Sequence, residues 1–258
     1  MFVIYPISTE INLFLNPSKG ATVIYFWRKI KAIPYLREIV ATVYYFFHKN
    51  RKNIRGNDNL IKVELKEHFP FLKNVTFNIN GDGNTVIINS GVRLSNTKIE
   101  IRGNNNKLII GENCQIASGC LWIEDYDCKL MIGKGTTIGE ANIGVSEPKS
   151  SVIIGEDCML SHSVDIRCGD SHSILDMASS QRINYAQDVH IGNHVWIAKS
   201  AQILKGVCIG NNSIIAAGSI VTKDVPENCL VAGVPAQVKR TGLTWLREKI
   251  SRESTVIV

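Results

Sequence analysis

Three residues able to take part in acid–base or nucleophilic chemistry fall within the stretch CGDSH: Cys168, Asp170 and His172. A neutral imidazole, with a reference pKa of about 6.5, is suited to removing a proton from a hydroxyl group. Asp170 would either orient that imidazole and raise its basicity or serve as a corner residue in a turn. Cys168 would act as a nucleophile beside the histidine only with a depressed pKa, so a corner thiol is the favoured interpretation.

The chain around this stretch repeats itself. Between residues 191 and 221 an aliphatic side chain recurs every six residues, a period that fits neither an ordinary strand nor a helix. Units of 22 residues begin at positions 86, 108, 130 and 152, and units of 18 residues begin at 189 and 207. Since eighteen is three sixes, the pattern predicts a triangular solenoid in which each hexad forms one short strand and one corner.

The repeat predicts which side chains fill the prism. One inward column is predicted to contain Ile88, Ile110, Ile132, Ile154, Ile191 and Ile209. A second is predicted to contain Leu94, Ile116, Ile138, Leu160, Ile197 and Ile215. A third, less regular column is predicted to contain Trp122, Ile166, Ile203 and Val221, interrupted by Gly144. Gly, Asn and Asp at the corners suit backbone with positive φ.

One corner of the solenoid is predicted to be longer than the others. The four extra residues of each 22-residue unit fall at RGNNN, EDYDC, SEPKS and CGDSH, and weaker matches place the start of coiling near residue 57. At the fourth of these corners, 15 further residues must leave the prism as an excursion loop, residues 170–188. Long loops on a rigid scaffold usually carry function.

The basic excess of the protein lies in its N-terminal segment. Residues 1–56 contain nine Lys and Arg against two Glu, and the segment is aromatic-rich and predicted to be mostly helical. Its uncharged runs are too short to span a bilayer. Residues 20–52 are therefore expected either to pack on the protein's own subunits or to lie on an anionic membrane surface. No basic patch on a nucleic-acid-reading fold is found, so nucleic acid is not an expected partner.

The seven cysteines are scattered, form no CxxC pair and follow no cleavable signal peptide. They are interpreted as reduced, mostly buried thiols rather than as a disulfide framework. The expected location is the cytoplasm, either free or at the inner face of its membrane.

The stretch IIAAGSIVTKDVPENCLVAGVPAQVKR, together with the hexads, resembles the hexapeptide-repeat acyltransferases. The resemblance covers roughly residues 57–240 and implies an all-β solenoid, a left-handed parallel β-helix, that assembles as a homotrimer with active sites between subunits. The helical segment 1–56 is expected to precede this domain, and a short C-terminal helix and tail, 241–258, to follow it. Within the family the chain looks most like the O-acetyltransferases of sugars and bacterial surface polysaccharides.

The resemblance also implies a reaction and the residues that carry it out. Acetyl-CoA would donate its acetyl group to a hydroxyl of a capsule, O-antigen or related glycan by direct attack, with His172 as the general base and no covalent acyl-enzyme. Asn142, in GEANIG, would hold the acceptor, with Asp170 and Trp196 beside it. No metal is required.

The coenzyme is expected along the outside of the last coils, with Trp196 as a flat wall. Backbone groups of Ala198, Lys199, Ala217 and Gly218 would bind the pantetheine arm. Thr222, Lys223 and Arg240 match positions near the coenzyme phosphates, where cationic side chains are favourable. Gln237 stands where relatives often carry a basic residue.

Three alternatives remain open. The same fold serves acyltransferases with other acceptors, such as an amino sugar or serine, or with a succinyl donor. A zinc hydratase would need three convergent histidines, and the spacing of His190 and His194 does not place them on one face of a six-residue coil. A noncatalytic scaffold would keep the solenoid but not depend on His172.

Overall fold

The backbone winds into a three-sided coil, because each short strand pairs in parallel with its equivalent one turn earlier and one turn later. The computed structural model describes residues 2–3, 48–64 and 70–251. Within these residues all regular structure is β-strand, which confirms the predicted all-β solenoid.

The first face is an eight-stranded sheet. Its strands, in spatial order, are β1 (Phe2–Val3), β3 (Leu60–Val63), β6 (Thr85–Ile88), β9 (Lys107–Ile110), β12 (Lys129–Ile132), β15 (Ser151–Ile154), β18 (Val189–Ile191) and β21 (Cys208–Ile209). The parallel pairing of β1 with β3 extends the sheet at its N-terminal end.

The second face has nine strands and ends in an antiparallel hairpin. Its strands are β4 (Phe71–Lys73), β7 (Arg93–Ser95), β10 (Gln115–Ile116), β13 (Thr137–Ile138), β16 (Met159–Leu160), β19 (Trp196–Ile197), β22 (Ile214–Ile215), β24 (Cys229–Gly233) and β25 (Ala236–Thr241). The hairpin β24–β25 continues this sheet beyond β22, so the backbone edge of β22 is covered by β24.

The third face has eight strands. They are β2 (Arg51–Arg55), β5 (Thr76–Asn80), β8 (Thr97–Arg102), β11 (Gly119–Glu124), β14 (Ala141–Val145), β17 (Val164–Arg167), β20 (Gln202–Ile203) and β23 (Ile220–Val221). Coiling begins with β2, a few residues ahead of the expected position 57.

Two of the predicted inward ladders are confirmed residue by residue. The column from Ile88 to Ile209 is in continuous register on the first face, and the column from Leu94 to Ile215 on the second. All of these side chains are buried. At about 25 cal/mol per Å² of apolar surface, such continuous burial is the main stabilising contribution to the coil.

The predicted third ladder is wrong in its earlier coils, at Trp122 and Gly144. Trp122 is in register with Glu100 and Gly144, and its side chain is on the outside of the prism, half-buried. Ile166 instead pairs with Ile143, one position away from Gly144. The buried ladder is Leu121, Ile143, Ile166, Ile203 and Val221, and no glycine interrupts it.

The long corner, here called the third–first edge because it joins the third face to the first, is held by a ladder of buried asparagines. Asn84 donates to the carbonyl oxygen of Gly103 at 2.8 Å and accepts from the amide of Asn106 at 3.0 Å. Asn106 repeats the pattern one coil later, donating to the carbonyl of Asp125 at 2.9 Å. Gly103 has φ 120°, and a Cβ there would lie 1.8 Å from the Asp125 oxygen, so only glycine fits.

The predicted C-terminal helix does not form in the described part of 241–258, which is irregular over 242–251. Contacts with the second face hold this tail in place. Trp245 is buried against His194, with ring centroids 4.2 Å apart, and Arg247 donates to Asp157. Because these contacts require a non-helical path, tertiary packing overrides local helix propensity.

The helix expected over residues 1–56 falls mostly outside the described residues, which include only 2–3 and 48–56 of it. Those parts contain the strands β1 and β2. Among the described residues there is no helix of sufficient length and apolar character to cross a bilayer.

Candidate active site

The excursion loop leaves the third–first edge after β17 and returns to the prism at β18. It forms a short antiparallel ribbon: the amide of Ile183 donates to the carbonyl of Ile174 at 2.9 Å, and the amide of Asp176 donates to that of Gln181 at 2.8 Å. The Asp176 carboxylate closes the tip by accepting from the amide and hydroxyl of Ser179, both at 2.8 Å. The loop therefore has its own hydrogen-bonded structure.

Asn184 ties the two strands of this ribbon together at its base. Its side chain is buried, and its amide nitrogen donates to the carbonyl oxygen of His172 at 2.7 Å and to Oδ2 of Asp170 at 2.8 Å. Its side-chain oxygen accepts from the amide of Ile174 at 2.7 Å. The bonds to His172 and Ile174 fix the backbone at and after His172, and the bond to Asp170 holds the carboxylate that precedes it.

Two ion pairs attach the base of the loop to the coils before and after it. Lys205, in the following coil, pairs with the Asp170 carboxylate and also donates to the carbonyl of Asn184 at 3.1 Å. Arg182 pairs with Glu147 of the preceding coil. The hydrogen bond from Lys205 holds the pKa of Asp170 below its ordinary value.

The His172 side chain is exposed, and within the described residues its imidazole has no hydrogen-bond partner. Its carbonyl accepts a hydrogen bond from Asn184, whereas its ring is unpaired within the described residues. Asp170 is committed to Lys205 and Asn184 instead of the imidazole. The geometry thus gives Asp170 an anchoring role at the corner.

Cys168 is fully buried, and its sulfur contacts the backbone of Ser146. Burial raises the pKa of this thiol. A thiolate is therefore disfavoured at this position. The same cause raises the pKa of Cys114 to about 12 and that of Cys158 to about 11, in keeping with the interpretation of most cysteines as buried thiols.

The residues expected to bind coenzyme gather around the second face and the second–third edge, the edge where the chain passes from the second face to the third. Trp196 projects outward from β19, half-buried. The amides of Ala198 and Gly218 are used in bonds between coils, to Ile215 and Lys199 at 2.9 Å each. Within the described residues, however, the amides of Lys199 and Ala217 have no partner.

The remaining residues predicted to contact the acceptor or the coenzyme phosphates do not share one face. Asn142 is exposed on the third face, in register with Cys120 and Asp165. Thr222, Lys223 and Arg240 are exposed near the C-terminal end of the solenoid.

One protomer does not bring the predicted base and the predicted coenzyme residues together. His172 lies beyond the third–first edge, whereas Trp196 is on the second face and Lys199 is at the second–third edge. In a triangular prism these are different edges. A site that contains both sets requires the edge of a second protomer.

No group of three or more potential metal ligands occurs in the part of the chain that the structure describes. Of the two histidines weighed for a zinc site, His190 is exposed on the first face. His194 is engaged by Asp157 and by the carbonyl of Trp245, at 2.7 and 2.8 Å. This arrangement gives no support to the hydratase alternative.

The residues that support His172 were missed by sequence reasoning. Asn184 is in a loop outside the repeat, and its role depends on the path of the loop. Lys205 and Glu147 occupy corners one coil away from the excursion on either side, and the 22- and 18-residue spacings could have suggested that proximity. Nothing in the spacing specifies which side chains pair.

Comparisons with known proteins agree with this architecture. The family model for bacterial transferase hexapeptide (six repeats) matches residues 188–223. Polysialic acid O-acetyltransferase of Escherichia coli O1:K1 is 39% identical over 99 residues, which are 38% of this chain and 32% of that protein. Galactoside O-acetyltransferase of Escherichia coli K12 is 40% identical over 90 residues, 35% of this chain and 44% of that protein. These matches thus cover less than half of the curated relatives' length.

Two solved structures match over most of their length. The crystal structure of the polySia specific acetyltransferase NeuO has a TM-score of 0.71 and 35% identity, covering 79% of this chain and 92% of that one. The polysialic acid O-acetyltransferase OatWY has a TM-score of 0.61 and 30% identity, covering 80% and 91%. The chain therefore belongs to the hexapeptide-repeat acyltransferase family.

Proposed function

We propose that the protein is an acetyl-CoA-dependent O-acetyltransferase that modifies a hydroxyl group of a bacterial surface glycan such as a capsule or O-antigen sugar. The observation that carries the proposal is the His172 imidazole, exposed and unpaired on a backbone that Asn184 fixes. The O-acetyltransferase names of the relatives support the reaction class. The polysialic acid and galactoside in those names support a sugar as the acceptor.

In the proposed reaction, His172 accepts the proton of the acceptor hydroxyl while that oxygen attacks the thioester carbonyl. The new C–O bond forms, the C–S bond breaks, and the proton passes from His172 to the departing thiolate. Backbone N–H groups stabilise the negative charge that develops on the carbonyl oxygen. The burial of Cys168 and the resulting rise of its pKa favour this direct route over a cysteine acyl-enzyme.

The unpartnered amides of Lys199 and Ala217 would bind the pantetheine arm, since they are equivalent positions of two successive coils and belong to the same edge. Trp196 would provide a flat wall for the coenzyme, and the exposed Lys223 and Arg240 would meet its phosphates. Asn142 would hold the acceptor from the third face.

An apolar column on the outside of the first face supports a homotrimer. Its members are Ile87, Ile109, Met131 and Ile153, which are in register on successive coils and point away from the core. Contact through this face would cover the column and place the edges of neighbouring prisms side by side. Such packing would bring the third–first edge of one protomer, beyond which His172 lies, toward the second face of the next, which bears Trp196.

The test is to incubate the protein with acetyl-CoA and candidate surface glycans and to follow thiol release and product mass. We expect His172→Ala to lower kcat by about a hundredfold or more. His48→Ala, which removes a histidine just before β2 at the opposite end of the solenoid from the last coils, is the matched control and should retain activity. Transfer unaffected by His172→Ala would favour the noncatalytic scaffold, and a product acetylated on nitrogen would favour an amino-sugar acceptor.

A further inference from the structure

The outside of the third face is polar, unlike the apolar column on the first. Strands β2, β5 and β8 direct Asn53, Asn78 and Glu100 outward in one register and Arg55, Asn80 and Arg102 in the next. These side chains line a groove of 240 Å³. A groove rich in amide, carboxylate and guanidinium groups has the donors and acceptors that a hydroxyl-rich ligand needs.

Trp122 continues this surface on the neighbouring strand β11. A Cβ on Gly144 would lie 2.7 Å from Cε3 of Trp122, so the indole lies directly over the glycine. The glycine lets a wide aromatic surface rest flat on the sheet. Asn142, the predicted acceptor contact, points outward on the same strand as Gly144. Aromatic rings beside hydrogen-bonding groups can contact both the apolar and the polar sides of a sugar.

Exposed positive charge dominates the groove. The Glu100 side chain is only 17% exposed and is paired with Lys98 at 2.7 Å, and the bond from Lys98 lowers its pKa. The Arg102 side chain is 61% exposed, and its guanidinium lies 3.9 Å from the Glu100 carboxylate, farther than Lys98 does. Arg55 lies two coils away in the same register, exposed and without a partner among the described residues. Guanidinium groups presented in this way favour carboxylate or phosphate ligands.

The groove and the excursion loop lie along the same edge of the prism. Arg55 and Arg102 stand where β2 and β8 end, at the third–first edge, and the loop that bears His172 leaves the same edge after β17. Six strands of the third face, β2 to β17, span about 24 Å at about 4.8 Å per strand. A monosaccharide cannot span that distance, whereas an extended chain can.

We propose that the outer third face, from Arg55 through Trp122 to Asn142, is a binding platform for an extended anionic glycan whose acceptor sugar reaches His172. The proposal rests on the proposed acetyl transfer for its last step and names the substrate class: a polymer carrying carboxylate or phosphate groups. The guanidinium groups bind its charges, and the indole of Trp122 stacks on a sugar ring.

The test is direct binding to the full chain carrying His172→Ala, so that no turnover occurs. The probes are polysialic acid, sialic acid oligomers of increasing length, and dextran as a neutral polymer. Arg55→Gln with Arg102→Gln should weaken polysialic acid binding about tenfold or more and reduce its salt dependence. Lys73→Gln with Arg93→Gln, which removes two exposed cations of the second face, is the charge-matched control and should bind normally.

Trp122→Ala should also weaken binding, and Trp122→Phe should restore part of it. Affinity that rises with oligomer length supports the platform. Equal binding of dextran, or polysialic acid binding unchanged in both the arginine pair and Trp122→Ala, overturns it. Binding that depends on these residues in a protein that acetylates nothing would retain the platform and refute the proposed function, so the two failures are distinguishable.

Discussion

The side-chain amide of Asn184 donates a hydrogen bond of 2.7 Å to the carbonyl oxygen of His172. Through this bond a buried residue of the returning strand fixes the backbone that bears the proposed base. Asn184→Asp replaces a donor with a carboxylate facing both that carbonyl and Asp170. We expect kcat to fall about tenfold to a hundredfold, because small misplacements of a catalytic group are costly, while KM for acetyl-CoA stays unchanged.

Asn193→Asp is the matched control for this prediction. Asn193 uses its side-chain oxygen to accept from the amide of Glu156 at 2.8 Å, and an aspartate keeps that acceptor. Steady-state kinetics with both variants separate positioning from general stability. If KM for acetyl-CoA rises in Asn184→Asp while kcat holds, Asn184 does not position His172.

Asp170 should make the attachment of the loop sensitive to acid. Its pKa is lowered in the folded protein, chiefly by the hydrogen bond from Lys205, so it stabilises the folded state above the ordinary value of 3.8. That contribution is lost as the pH falls below 3.8 through the lowered pKa. The melting temperature of the wild type should therefore exceed that of Asp170→Asn at pH 7, and the difference should narrow as the pH is lowered below 3.8. A difference that stays as large below pH 3.8 as at pH 7 would contradict the assignment.

Cys168→Ala distinguishes direct transfer from a cysteine acyl-enzyme. The thiol is buried and its pKa is raised, so we expect the variant to keep kcat within about threefold of wild type, a small change beside the hundredfold expected for loss of a general base. Mass spectrometry of the wild-type protein mixed with acetyl-CoA alone should show no acetyl adduct at Cys168. A stable adduct there, together with an inactive variant, would establish the nucleophilic route.

Mixed assemblies test whether the active site is shared between protomers. His172→Ala and Trp196→Ala each remove one part of the proposed site. Within one prism, His172 lies beyond the third–first edge and Trp196 lies on the second face. If neighbouring protomers combine the two sides, co-refolded mixtures should regain activity that neither variant has alone, because some interfaces contain an intact His172 and an intact Trp196. Mixtures that stay inactive, with hybrid trimers confirmed by mass, would place both residues in one subunit's site.

The six-residue period was sufficient to predict the fold, since Ile88 and Leu94 begin ladders that keep their register through the whole repeat. The period failed where apolar residues occupy both the inward and the outward positions of a strand. In Leu121-Trp122-Ile123 every side chain is large and apolar, and alternation alone does not say whether Trp122 or its neighbours point inward. The preceding strand decides it, because Ile99 and Ile101 pair with Leu121 and Ile123 and all four are buried.

Around the excursion loop, the sequence nominates His172 but not the residues that hold its backbone. His172 could be nominated from its position at the start of a loop that breaks the repeat. The contacts that support it join residues that are far apart in sequence, such as Asp170 and Lys205, which are 35 positions apart. Their pairing depends on the stacking of coils and on the path of the excursion, and local pattern contains neither.

Trp245 should be the main attachment of the C-terminal tail. Its side chain is 5% exposed, and its indole nitrogen donates to the carbonyl of His194 at 2.8 Å. Replacement of a buried tryptophan by alanine costs about 3–5 kcal/mol, and we expect the lower end because the tail can detach without unfolding the coils. Urea unfolding should show this loss for Trp245→Ala. As a control, Leu246→Ala, whose side chain is 42% exposed, should change the free energy of unfolding by less than about 0.5 kcal/mol.

Hydrogen exchange provides a second test of the tail's attachment. Because the tail covers part of the second face, exchange should increase at β16 and β19 in Trp245→Ala. An unchanged exchange rate there, with stability close to wild type, would mean that Arg247 and its bond to Asp157 hold the tail without the indole.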